Sequence, residues 1–114
     1  MSTRSRIKLM HQGVALGAIY YSHDGHVWNF SPELIEALQA TTPRSLLANK
    51  AMLKLMGLYA LDADGERDMH LDYLCEVDLS QEDYIIRLSE WGKGLVFEGN
   101  LTAFSQQYGK KDNR

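Results

Sequence analysis

His23, Asp24 and His26 fall within four residues, the densest grouping of side chains that could do chemistry. Two imidazoles three apart can share a metal ion, and a carboxylate between them can orient either ring by accepting its second N–H. A third ligand would have to come from His11, His70 or Cys75. Two ligands make a weakly specific pattern, and Asp24 has another explanation in the Asp24-Gly25 turn signal, so neither a metal nor a catalytic residue is assigned.

Other patterns fail on particular residues. Asp62, Asp64, Gly65, Glu66 and Asp68 mimic part of a calcium loop. With Gly65 at the loop's glycine, however, Ala60 takes the first ligand position and Leu71 the position of the bidentate glutamate. Gly92-Lys93-Gly94 lacks the Ser or Thr that a phosphate loop needs after its lysine. Cys75 sits in an alternating apolar pattern beside Glu76, where a thiolate is disfavoured. No cofactor is implied.

Binding features remain. Residues 1–61 carry Arg4, Arg6, Lys8, Arg44, Lys50 and Lys54 against Asp24, Glu33 and Glu36, a balance of +3, whereas residues 62–98 carry eleven acids against Arg67, Arg87 and Lys93, a balance of −8. Such segregation suits a surface that attracts a basic partner. The expected partner surface combines the acidic residues Asp62, Asp64, Glu66 and Asp68 with Leu46, Lys50 and Leu53, where Leu46 and Leu53 lie seven apart on the side of a helix away from its apolar stripe. That surface would take a host or cognate protein, or a second copy in a homodimer. An alternative site for a nucleotide or another small molecule would use Tyr20, His23 and Trp28 with Arg44, a cation beside aromatic rings. A third alternative is a small metal- or histidine-dependent enzyme built on His23 and His26. The short basic N-terminus lacks interleaved aromatics, which argues against nucleic acid.

These residues need elements to position them. Arg6 to Met10 and Val14 to Tyr21 alternate as strands about a His11-Gln12-Gly13 link. Asp24-Gly25 suits a type I′ turn into a third strand at Val27 to Phe30. Ser31-Pro32-Glu33 reads as a helix start, and Thr42-Pro43 as a second, running to about Met56 with Leu47, Ala48, Ala51, Met52, Leu55 and Met56 toward the core. Leu71, Tyr73, Cys75, Val77 and Leu79 alternate with polar residues. Strands follow at Tyr84 to Ser89 and Leu95 to Glu98, and Asn100 caps a last helix carrying Leu101, Phe104 and Tyr108 on one face. The expected fold is one α+β domain over residues 1–114, in two layers, with an antiparallel sheet, helices on one face and the order βββααβββα.

Composition agrees. A chain of 114 residues that is 45% hydrophobic with net charge −3 can bury a core and does not resemble a disordered segment. One cysteine makes no internal disulfide, and no apolar run nears the ~20 residues of a bilayer span, so a cytoplasmic protein is expected.

Ser2-Thr3-Arg4-Ser5-Arg6-Ile7 and Ile19-Tyr20-Tyr21-Ser22-His23-Asp24-Gly25 together resemble small uncharacterised bacteriophage proteins that open on Thr-Arg-Ser and carry an Ile-Tyr then His-x-Asp-Gly hairpin. The likeness covers roughly the first quarter. This chain lacks the Trp of that pattern between His23 and Asp24, and has His26 in place of an aromatic. The resemblance implies a phage-encoded accessory protein, a class in which small inhibitors of host machinery are frequent, and implies no catalytic residue.

Overall fold

A hairpin opens the chain because its turn residues accept the required backbone. Gln12 and Gly13 have φ of 50° and 82°, the two positive values of a type I′ turn, and they join β1 (Ser5–His11) to β2 (Val14–Tyr21). The computed structural model describes residues 3–21, 25–48 and 71–109.

A helix then stands where a third strand is expected. α1 spans Val27–Gln39, and Val27, Phe30, Leu34, Ile35 and Leu38 all face inward. That spacing is helical, and it extends the stripe back past Pro32 into a segment too short for alternation to assert itself. His26, not Ser31, caps the helix: its Nδ1 accepts from the Trp28 N–H at 3.2 Å, and its carbonyl accepts from Asn29 and Phe30. Pro32 lies inside the helix rather than at its first position, so the Trp28 carbonyl receives no i+4 N–H from it.

Gly25 serves a different purpose from the one its sequence suggests. It is not among the positive-φ glycines. A Cβ there would lie 2.6 Å from Ser5 Oγ and 2.8 Å from the Thr3 carbonyl, whose oxygen accepts from the Gly25 N–H at 2.9 Å. Close approach, not turn geometry, demands glycine here.

α2 (Pro43–Ala48) starts at the expected proline. The Ser45 N–H donates to Thr42 Oγ1 at 3.1 Å while the Thr42 N–H donates to Ser45 Oγ at 2.9 Å, a reciprocal cap of the kind that satisfies two otherwise orphaned donors. The expected run to Met56 lies outside the described residues.

β3 (Tyr73–Asp78), β4 (Ile85–Glu90) and β5 (Gly94–Asn100) form the second half of a five-stranded sheet, followed by α3 (Leu101–Tyr108). The spatial order is β2-β1-β3-β4-β5. β1 lies parallel to β3, and the other neighbours are antiparallel. The fold is therefore α+β with a mixed sheet and the described order ββααβββα, which corrects the purely antiparallel βββααβββα. The parallel pair arises because the chain leaves β1 through β2, α1 and α2 before returning, a connection long enough to re-enter at the same end.

One sheet face carries Ile7, Leu9, Cys75, Val77, Ile86 and Leu88 into a core shared with α1, α2 and α3. α3 is capped as its sequence suggests, with Asn100 Oδ1 accepting from the Ala103 N–H at 2.9 Å. Its Tyr108 ring lies 5.1 Å from that of Trp28 and 5.1 Å from Phe104, tying the first helix to the last. The opposite sheet face is polar. Across it Lys8, Glu76, Arg87 and Glu98 stand in register on four adjacent strands, a cross-strand row of alternating charge. Arg6, also on this face, is only 1% exposed.

Candidate functional site

Of the residues expected to form a partner surface, Leu46 is the one among the described residues. Leu46 is fully buried, at 0% exposed, within the main core. Leu47 is half-buried and Ala48 exposed, so α2 turns toward the core a side one residue earlier than its apolar spacing suggests. The apolar spacing extends to Met56, whereas the described helix ends at Ala48 with Leu46 in the shared core. Lys50, Leu53, Asp62, Asp64, Glu66 and Asp68 lie outside the described residues, as does His23.

Tyr20, Trp28 and Arg44 of the alternative site stand on three different elements. Trp28 belongs to α1 and packs on Tyr108, rather than standing on a strand beside a cation. Tyr20 lies in β2 opposite Arg6. Arg44 is exposed at one end of the sheet, in an open cleft of about 500 Å³ lined by His11, Thr42, Leu47, Ser80 and Glu82. This cleft holds a guanidinium, an imidazole and two hydroxyls near the β1–β2 turn, groups able to bind an anion, with the Glu82 carboxylate opposing one.

At the other end of the sheet a different feature stands out. Trp91 is 72% exposed, yet the turn that carries it is pinned. Its N–H donates to the Asp72 carbonyl at 2.9 Å, and the Lys93 N–H donates to the Glu90 carbonyl at 3.0 Å. Lys93 Nζ also reaches the Glu90 carboxylate at 3.1 Å. Gly92 and Gly94 take φ of 81° and 79°, values that a bulkier residue reaches only with strain. On one side of Trp91 is a groove of about 280 Å³ lined by Leu71, Leu74, Ser89, Gly92 and Gly94. On the other is a hollow of about 200 Å³ lined by Thr3, His26, Asp72, Tyr73 and Glu90. β5 continues from this turn as the outer strand of the described sheet, with Leu95 at 56% and Val96 at 36% exposed. The two residues that matter most here, Trp91 and Leu95, were not singled out as site residues by the sequence. The usable signal was a tryptophan beside Gly92-Lys93-Gly94, because a tight glycine turn keeps its flanking side chain out of a core.

The reactive groups are quiet. Burial, with Glu76 adding to it, pushes the Cys75 thiol up to about 12, so the thiolate is negligible at neutral pH. Tyr73 OH lies 3.2 Å from His26 Nε2. Partial burial, with Glu90 and Asp72 adding to it, raises this phenol above its usual range, which keeps it protonated. Among the described residues no group of three or more His, Cys, Asp or Glu is placed to hold a metal ion, and no helix there is long and apolar enough to cross a membrane. Comparison with protein-family models, curated proteins and solved structures finds no match to this chain.

Proposed function

We propose that this is a non-enzymatic binding protein that acts by contact with another protein, and that the contact is made at the Trp91 turn and the β5 edge. A single observation carries the reading: a large aromatic held open on a turn fixed by two backbone hydrogen bonds and an ion pair. Interface energy concentrates in such aromatic anchors, and an anchor ordered before binding loses little freedom on docking. The opening segments' resemblance to phage proteins supports a phage-encoded modulator or inhibitor of a host protein, of the counter-defence type. The test is affinity purification from a bacterial host with wild type, Trp91→Ala and Leu95→Glu side by side. A protein that co-purifies with wild type and is lost from both folded variants is expected; retention by both overturns the reading.

A second reading, a nucleotide or anion binder, has its own support in the Arg44–His11 cleft. Thermal-shift measurement against nucleotides and inorganic phosphate decides it. Stabilisation that disappears in Arg44→Ala favours it, and no shift with any of them removes it.

A further inference from the structure

The charge row on the polar face of the sheet says what the β5 edge would accept. Lys8 faces Glu76, Glu76 faces Arg87 and Arg87 faces Glu98 across successive strands. The last pair is closed by an Arg87 Nε to Glu98 Oε2 bond of 2.7 Å. The alternation stops at Glu98, whose side chain is 52% exposed on the outer strand. A strand added beyond β5 would set its own residue against Glu98, where opposite charge stabilises a cross-strand pair and like charge destabilises it.

The neighbouring row, Arg6, Leu74, Ser89 and Leu95, ends on an apolar residue at the same edge. Leu74 faces Ser89, and Ser89 faces Leu95. This row runs into the groove beside Trp91, which Leu74 and Ser89 also line. Further along an added strand, on the same face, an apolar side chain would therefore meet Leu95. Neither edge of this chain matches that description: β2, Val-Ala-Leu-Gly-Ala-Ile-Tyr-Tyr, has no charged residue, and Glu98 is the one charge in β5. A second copy pairing through either strand would bring no cation to Glu98.

We propose that the β5 edge takes an extended segment of a partner protein as a sixth strand, with a Lys or Arg against Glu98 and, two residues away, a large apolar side chain against Leu95. Backbone hydrogen bonds along the edge supply affinity and the two rows supply selectivity, as in other cases of strand addition. The proposal rests on the protein-contact reading above and names the chemistry of the partner.

The test uses the full chain and isothermal titration. The probes are capped peptides in which threonine alternates with lysine and leucine, and the same peptides with glutamate for lysine, at low salt. The lysine peptide is expected to bind about fivefold more tightly than the glutamate peptide, the scale of one cross-strand charge pair. Glu98→Lys should reverse the preference and the milder Glu98→Gln should abolish it, each with a native circular dichroism spectrum. Equal binding of the two peptides in wild type, or an unchanged preference in both Glu98 variants, overturns this proposal and leaves the protein-contact reading standing. A dimer in sedimentation that Leu95→Glu dissociates also overturns it, by giving the edge to a second copy. No binding of either peptide, with a native partner indifferent to Trp91→Ala and Leu95→Glu, overturns both.

Discussion

Leu46→Ala separates a core residue from a surface one by magnitude. The side chain is fully buried among the helices and sheet. Truncation removes three carbons, worth about 2.4 kcal/mol at about 0.8 kcal/mol each. The surroundings relax only in part, so a residual cavity raises the loss to about 3–4 kcal/mol. A domain of this size has about 5–15 kcal/mol in total, which makes the loss a large fraction of its stability. At about 4 °C per kcal/mol, the melting temperature should fall by about 12–16 °C. Urea unfolding followed by circular dichroism gives the same quantity as a lower midpoint at unchanged slope. Trp91→Ala, removing an exposed ring, should move the midpoint by no more than about 0.5 kcal/mol. A Leu46→Ala effect below about 0.5 kcal/mol, accompanied by loss of self-association or of a bound partner, would refute the burial and restore this residue to a contact surface.

The α1 cap is testable by chemical replacement: His26→Ala should cost about 1 kcal/mol in thermal or urea unfolding, and His26→Asn should recover most of it, because only a side chain with a lone pair can accept the Trp28 N–H. Cys75, pushed up to about 12, should react with a thiol reagent such as dithionitrobenzoate only as fast as the protein opens, and at once in denaturant. For Asp78, burial opposes ionisation, but hydrogen bonds from Ser80 and Arg87 outweigh it and hold the group below its ordinary value of 3.8. The folded state thus favours the charged form. Its stabilising contribution is complete above that ordinary value and is lost as the pH falls through the lower folded value, so the stability gap between wild type and Asp78→Asn should be constant above about pH 5 and narrow as the pH falls below it in urea titrations.

Much of the fold was legible because its signals were local. Gln12-Gly13 marked a turn, the period-two run ending at Leu79 marked β3, and Asn100 marked the cap of α3 with Leu101, Phe104 and Tyr108 inward. Errors came where two local signals competed. Ser31-Pro32 resembled a helix start strongly enough to hide the stripe that begins at Val27. Asp24-Gly25 resembled a hairpin, although what Gly25 supplies is room for Ser5 and the Thr3 carbonyl. The parallel pairing of β1 with β3 has no local signature at all, since it is decided by how the intervening chain packs. The interaction edge was illegible for the same reason: alternation placed Leu95 and Glu98 on a strand, and only strand order shows that this strand is outermost.

Strand order also changes the meaning of the charge segregation. The balance of −8 over residues 62–98 suggests an acidic face, but in the sheet Glu76, Asp78 and Glu98 each meet a cation brought by another strand. Glu76 lies between Lys8 and Arg87 in register, Asp78 receives Arg87 Nη1 at 3.2 Å, and Glu98 receives Arg87 Nε. A stretch rich in acids along the chain becomes an alternating row across the sheet, because Lys8 comes from the basic first half and Arg87 is one of the few cations within the acidic stretch itself. Each such pair adds a modest attraction between neighbouring strands. The row ends at Glu98, half exposed on the outermost strand of the described sheet, where Leu95 is exposed as well. The pairing of opposite charges across four strands of this protein therefore extends, without any new interaction type, to the choice of a fifth residue in the row supplied from outside.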